Sequence, residues 1–332
     1  MSLKEHITDI IRAEGPISIA RYMDLCLYHP QLGYYMTRQP MAAGGDFITA
    51  PEMTQAFGEV LGAWVIDCWQ KLGSPTEWAL VELGPGRGTL MSDVLRVMQR
   101  HAPQAYAGCK IHLVEISPVL KQAQQEMLQG HAVAWHQGIE ALPQLEVPLV
   151  LLANEFWDAL PIQQFVDGEE RMVTVDAGGA LAFTLPAGHI TETCPALPCL
   201  VQRLKAITTA PCYQLYIDYG AEGTADTLQA MRQQKFTSPL EAPGEVDLTA
   251  HVNFAALKAA FGDNWGYIDQ AGFLFRLGFP VRAARLMDAA KTPQEREKIA
   301  LNCAKIIAPD GMGSLFKVGC FYTQGLATPA GF

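Results

Sequence analysis

Val81-Glu82-Leu83-Gly84-Pro85-Gly86-Arg87-Gly88 is the stretch on which the reading of this chain turns. Trp78 to Glu82 reads as a strand leading into it, and Thr89 to Arg100 carries a helical period leading out. Glycines at alternate positions let the backbone turn tightly and approach a ligand closely. The helix start beyond them exposes N–H donors. Two familiar nucleotide loops do not fit. A dinucleotide fingerprint needs a third glycine where Thr89 stands. A P-loop needs a lysine that Arg87-Gly88-Thr89 lacks. What is left is an acidic strand end followed by three alternating glycines.

Downstream, strands alternate with helices. Lys110 to Glu115 reads as a second strand, and Ser117-Pro118 opens a helix with proline at a favoured first-turn position. Val133 to His136 is a third strand. Pro148 to Ala153, apolar throughout, has the character of a central parallel strand. Cys212 to Asp218 and Leu315 to Tyr322 complete the set. The alternation predicts βαβ units on a parallel sheet, an α/β fold. Upstream, residues 3–14, Ile19 to Leu27 (capped by Ser18) and 52–72 have helical spacing, with an irregular loop between His29 and Thr49. Residues 162–185 predict antiparallel strands turning at Asp167-Gly168 and Gly178-Gly179. The organisation expected is an N-terminal helical cap with a lid loop (1–75), a ligand-binding Rossmann-like core (76–161), a β-hairpin insertion (162–211), core strands (212–224 and 312–332), and a smaller, mainly helical substrate lobe (225–311).

Composition narrows the function classes. The chain has 332 residues, 49% hydrophobic and 17% charged, which excludes a mainly disordered protein. Its net charge of −10 disfavours a nucleic-acid partner, and no basic run offsets it. The eight cysteines are scattered without a CxxC pair, the usage of reduced thiols in a cytosolic protein, and no metal site is expected. Leu149 to Ala153 is far too short to span a bilayer, and the N-terminus has no signal-peptide core. A bacterial-type cytoplasm is the expected location, with no membrane insertion.

Polar residues cluster where the strands end. Glu115 closes the second strand, where its two oxygens can accept both hydroxyls of a ribose. Gln137 follows the third. Asn154-Glu155-Phe156-Trp157-Asp158 follows the fourth, at the edge where open α/β sheets bind ligands. There Asn154 can orient an acceptor nitrogen, Phe156 and Trp157 can offer a dry face to a cation or planar group, and Glu155 and Asp158 can hold a guanidinium.

The loop Glu82-x-Gly84-x-Gly86-x-Gly88 resembles motif I of class I S-adenosylmethionine (SAM) dependent methyltransferases. Wider agreement is similar to the MidA-like family, bacterial relatives of the mitochondrial complex I assembly-factor arginine methyltransferase. It runs through Tyr22 to Pro30, Gly33 to Met36, Gly45 to Glu52, Phe57-Gly58-Glu59, Leu80 to Leu90, His112 to Glu115, Asn154-Glu155-Phe156 with Asp158, Asp218-Tyr219-Gly220, and Ala242 to Ala250. The chain departs from the family at Trp157, commonly Phe, and at His251, where mitochondrial members carry an acid. The resemblance implies a Rossmann-like seven-strand methyltransferase sheet and SAM as cofactor, leaving as S-adenosylhomocysteine (SAH). It implies a protein-arginine N-methyltransferase acting on a subunit of NADH:quinone oxidoreductase (complex I), with a homodimer left open. The residues expected to hold cofactor are Glu82, Gly84, Gly86, Glu115, Gln137 and Asn154. Those expected to act on the acceptor are Glu155 and Asp158, then Glu52 and Asp46 from the lid loop. Alternatives are a SAM-binding assembly chaperone and a small-molecule or RNA methyltransferase.

Overall fold

The computed structural model describes residues 1–38, 48–223 and 225–332. Its main sheet has seven principal strands: β1 (Trp78–Leu83), β2 (Cys109–Val114), β3 (Val133–His136), β4 (Leu149–Asn154), β5 (Cys212–Ala221), β6 (Trp265–Asp269) and β7 (Phe316–Tyr322). Their spatial order is β6-β7-β5-β4-β1-β2-β3. β3, β2, β1, β4 and β5 are mutually parallel, and β7 runs antiparallel to both its neighbours. This is the seven-strand α/β sheet that the resemblance implies. The chain lays down β1, β2 and β3 outward and then returns to place β4 on the other side of β1. The switch point thus lies between β1 and β4, where the crossovers diverge and leave a crevice at the carboxyl ends.

β1 and the first five residues of β4 are buried, as expected for strands covered on both faces. One face packs against helices Gln55–Lys71, Thr89–His101, Gln270–Arg276 and Phe279–Asp288 through Phe57, Trp64, Leu95, Phe273 and Phe279. The other packs against Leu197–Lys205 and Phe254–Phe261 through Val201, Leu204, Tyr216 and Phe261. A third core joins the first two helices, Leu3–Glu14 and Ile19–Tyr28, to the insertion around Ile7, Tyr22, Ile162 and Val173. Ser2 opens the first of these helices with a capping box and Ser18 caps the second.

The insertion forms a five-stranded antiparallel sheet of Ile17–Ser18, Gln163–Val166, Glu169–Val175, Leu181–Phe183 and Ile190–Thr193. Asp167 and Gly168 both take positive φ at the first hairpin turn, the chemistry read from their sequence. Ile17–Ser18 pairs with Val173 and Met172, so the N-terminal helices are tied to the insertion, whereas Gln55–Lys71 belongs to the main sheet.

Residues 225–311 depart from the helical expectation. Gln229–Arg232, Lys235–Thr237 and Asp247–Thr249 form a three-stranded antiparallel sheet, and β6 joins the main sheet. The first two of those strands turn through Gln233 and Gln234, both at positive φ without glycine or asparagine, so the usual hairpin signal is absent. Helices return at Phe254–Phe261 and from Gln270 to Ile307.

One packing detail fixes the wall of the crevice. The two-residue strand Val252–Asn253 runs parallel to the end of β5 beside Gly220 and Ala221. A Cβ at Gly220 would lie 2.0 Å from the carbonyl oxygen of Val252. Gly220→Ala is therefore expected to push Val252 and the adjoining Thr249–His251 wall away, destabilising the protein by about 1–3 kcal/mol in urea unfolding.

Candidate active site

At the switch point lies a cavity of about 1190 Å³, lined by Glu52, Glu82, Gly84, Gly86, Glu115, Gln137, Asn154, Glu155 and Asp158. Nine residues singled out from the sequence thus meet in one place. Asp46 lies outside the described residues. The volume exceeds the few hundred to roughly 1,000 Å³ of ordinary small-ligand pockets, leaving space for a cofactor and an inserted side chain.

The glycine loop forms one wall. Gly84, Gly86 and Gly88 have φ of +58°, +55° and +86°, a left-handed run that side chains resist. Beside it, Gln124, fully buried on the helix Pro118–Met127, donates to the Gly86 carbonyl oxygen (2.7 Å) and to Glu115 Oε2 (2.9 Å). Its own oxygen accepts from the Trp135 indole at 3.1 Å. Glu115 Oε1 accepts the Ser117 N–H at 2.7 Å. One glutamine therefore spaces the glycine loop and the ribose acid. Its signal in the sequence is nil: Gln124 is one of several glutamines on a helix that reads as amphipathic.

The acids beside the glycine loop, Glu82 and Glu115, are buried. Desolvation, then the charge of Glu115, raises Glu82 to about 8, and Glu82 Oε2 has no hydrogen-bond partner. Burial raises Glu115 to about 7 against the pull of its Ser117 and Gln124 donors. Asn154 Oδ1 is also buried without a partner, while its amide donates to Glu155 Oε1 at 3.0 Å. These orphaned acceptors flank the loop, and Ile116, 46% exposed, offers an apolar face next to Glu115.

That set fits SAM. Glu82 and Asn154 would offer acceptors to its ammonium, Glu115 to its ribose hydroxyls, and Ile116 with Gln137 would seat its adenine. Bound there, SAM supplies an activated methyl group on a sulfonium.

The acceptor side starts at the end of β4. Glu155 takes φ of +53°, which is rare and costly for a residue with a side chain. Asp218, fully buried on β5, enforces the turn. Its Oδ2 accepts the N–H groups of Phe156 (3.1 Å), Trp157 (2.8 Å) and Asp158 (3.2 Å), and its Oδ1 accepts that of Tyr219 (2.9 Å). Burial, then the charge of Asp158, raises Glu155 to about 8. Burial raises Asp158 to about 6, opposed by a hydrogen bond from the Tyr219 hydroxyl.

Tyr28, Tyr35, Tyr219 and Asp247 complete this side of the cavity. Tyr28 and Tyr35 stack with ring centres 5.9 Å apart, and the Tyr35 hydroxyl donates to Asp247 Oδ1 at 2.7 Å. Tyr219, Tyr35 and Asp247 stand inside segments the resemblance had flagged, but nothing in their spacing pointed to one pocket.

Two expectations change. Trp157 is not part of the pocket wall. It turns into the core against Tyr216 and Phe261, with the Asp218 clamp holding its backbone N–H, and only the edge-on neighbouring ring of Phe156 reaches the cavity. Glu52 lines the cavity, but its carboxylate is engaged by Thr89 Oγ1 and, at 3.4 Å, by Arg87. It buckles the N-terminal segment onto the glycine loop, which suits positioning better than work on an acceptor. His251 stands edge-on to Tyr219 with ring centres 5.4 Å apart, and burial lowers its pKa.

Two predictions follow from the cofactor side. Gln124→Ala breaks the bridge between loop and ribose acid, and is expected to weaken SAH binding about tenfold by calorimetry. The raised acids give the pH behaviour its sign. Glu82 moves up from the ordinary 4.5 to about 8, so the native state retains a proton that the unfolded chain releases between those values. Its stabilising contribution is fully present below the unfolded value and is lost as pH rises through the window. Urea unfolding of the free protein should show stability falling from pH 5 to 8, with a shallower fall in Glu82→Gln. SAM binding at pH 7 should expel protons, visible as binding heats that differ between buffers of different ionisation enthalpy.

Known proteins agree with this geometry. A family model described as S-adenosyl-L-methionine-dependent methyltransferase matches residues 60–273. "Protein arginine methyltransferase NDUFAF7, mitochondrial" of Danio rerio is 36% identical over 364 residues, covering 95% of this chain and 86% of its own. The Drosophila melanogaster homolog of that name is 34% identical over 383 residues, covering 98% and 86%. The crystal structure of a superfamily member from Burkholderia thailandensis bound to SAH superimposes with a TM-score of 0.82 at 27% identity, covering 99% of this chain and 93% of that one. The chain belongs to the MidA-like family and is a SAM-dependent methyltransferase.

Proposed function

We propose that this enzyme methylates an arginine side chain on a protein, and that the protein is a subunit of respiratory complex I met in a cytoplasm of bacterial type. The observation that carries the arginine reading is the pair Glu155 and Asp158. They stand just past the end of β4, Asp158 buried and Glu155 half-buried; both have raised pKa values, and tyrosines line the same cavity. The names of the Danio rerio and Drosophila melanogaster relatives support it. The complex I target rests on the family resemblance, and the location on composition.

The residues suit that chemistry. A guanidinium is a poor nucleophile because its charge is delocalised over three nitrogens. A buried carboxylate can concentrate that charge on one side and leave the remaining nitrogen better able to attack. Glu155 and Asp158 can do this, with the faces of Tyr28 and Tyr35 holding the cation. As the nitrogen gains the methyl group, one proton leaves it. Glu155, raised to about 8, is suited to hold that proton. Alignment of nucleophile and methyl group is the remaining contribution.

The test supplies labelled SAM and the purified protein to an extract from a strain lacking the gene. Label should appear on arginine of a complex I subunit. Glu155→Gln should lower the rate by about 100-fold or more with SAH affinity retained. The value of kcat/KM should rise from pH 6 to 8 as the pair ionises to receive the guanidinium. Label confined to nucleosides or small molecules would reject the reading.

A further inference from the structure

Two dissimilar exposed elements, its lips, line the cavity. One is the hairpin of Gln229–Arg232 and Lys235–Thr237. Met231 pairs directly across from Phe236, so the two side chains share one face, and both line the cavity. Phe236 is 71% exposed, the most exposed aromatic ring among the described residues. The other lip is the helix Pro293–Ile307 with the short turn Met312–Leu315. Lys298 and Lys305 stand two helical turns apart and both line the cavity, as does Leu315, 42% exposed. The same cavity has an acidic floor, lined by Glu155, Asp158 and Asp247.

A single bare ring is ordinary on a protein surface, but this one is joined by Met231 on one face and both line a deep cavity, the setting that marks a binding site. The lips also oppose the floor in charge. A lone arginine needs only the floor. Bare apolar side chains and two lysines at the rim complement whatever surrounds it.

We infer that the enzyme reads the chain flanking its target: the acceptor lies in a segment with a large apolar residue beside it, seated on Phe236 and Met231, and a carboxylate facing Lys298 and Lys305. This inference rests on the protein-arginine reading. The occupant is a substrate segment, threaded between the lips with its cationic side chain down. A substrate with serines beside the arginine would leave Phe236 wet. One with lysines would meet Lys298 and Lys305 as like charges.

Four peptides test this, each with one central acceptor. The first has Leu on both sides of Arg and Glu further along, the second replaces Leu by Ser, the third replaces Glu by Lys, and the fourth replaces Arg by Lys. Binding to the SAH complex is read by fluorescence anisotropy and methylation by mass spectrometry. The first peptide is expected to exceed the second and the third by about tenfold in affinity and in kcat/KM. Phe236→Ser should bring the Leu and Ser peptides within about twofold of each other, with SAH affinity unchanged. The double charge reversal Lys298→Glu, Lys305→Glu should invert the preference between Glu and Lys. Equal binding of the first three peptides, binding of none of them, or a Leu preference surviving in Phe236→Ser would overturn the inference. If the apolar preference is present but methyl appears only on the peptide lacking arginine, the arginine reading falls and the flanking inference stands.

Discussion

Four carboxyl groups whose pKa values burial raises share one cavity, and the architecture of this enzyme follows from the cost of keeping them there. Glu82, Glu115, Glu155 and Asp158 are each held where burial favours the neutral acid. An isolated charge placed in such surroundings would cost several kcal/mol, so an acid there shifts its pKa instead. A ligand bringing positive charge reverses the balance. SAM carries a sulfonium and an ammonium, and an arginine carries a guanidinium. Burial that favours the neutral acids and cationic partners that favour the charged ones thus stand in tension, SAM expected on the Glu82 and Glu115 side and the acceptor on the Glu155 and Asp158 side.

Holding that tension requires rigid supports, and they are neutral or fully satisfied. Gln124 fills all its visible capacity between Gly86, Glu115 and Trp135. A charged residue in its place would have added to the acid cluster or cancelled it. Asp218 is a support of another kind: four backbone N–H groups converge on it, so it serves the turn rather than the ligand. The positive φ of Glu155 is the visible cost of that turn. The strain aims Glu155 into the cavity while Trp157, two residues on, anchors the same segment in the core.

How much of this was legible follows from the range of each signal. The glycine loop, Glu115 and the apolar β4 are local patterns, and the parallel sheet could be read from them. The residues expected to hold cofactor could be brought to one crevice because each lies at or just past a strand end, where topology alone places it. The acceptor side is different in kind. Tyr28, Tyr35, Tyr219 and Asp247 are spread over more than 200 positions and meet only through tertiary packing. Gln124 has no motif at all. The hairpin around Gln233 and Gln234 failed as a sequence signal because two glutamines occupy a turn that glycine or asparagine ordinarily marks. Glu52 was legible as a cavity residue, but its partners Thr89 and Arg87, which turn it into a buckle, were not.

The distribution of the pieces around the cavity also explains why the chain is so much longer than a bare seven-strand sheet. The ends of β1 to β4, with the helix that carries Gln124, line the side of the cavity expected to take the cofactor. The acceptor side borrows from every addition: Tyr28 and Tyr35 from the N-terminal helices, Thr249 and Asp247 from the small sheet, and Lys298 and Lys305 from the late helix. The N-terminal helices reach the site only because the insertion gives them a core to pack on, through Ile17 and Ser18 pairing with Val173 and Met172. Tyr28 then binds the Ala159 carbonyl oxygen just past the β4 turn, and Ser117 Oγ binds that of Tyr35 just past Glu115. The cap is thus fastened at both halves of the cavity, to the segment that carries the acceptor acids and to the segment that carries the ribose acid. The two ligand sites share a wall, and a shift in the Tyr28–Tyr35 wall would be felt at both.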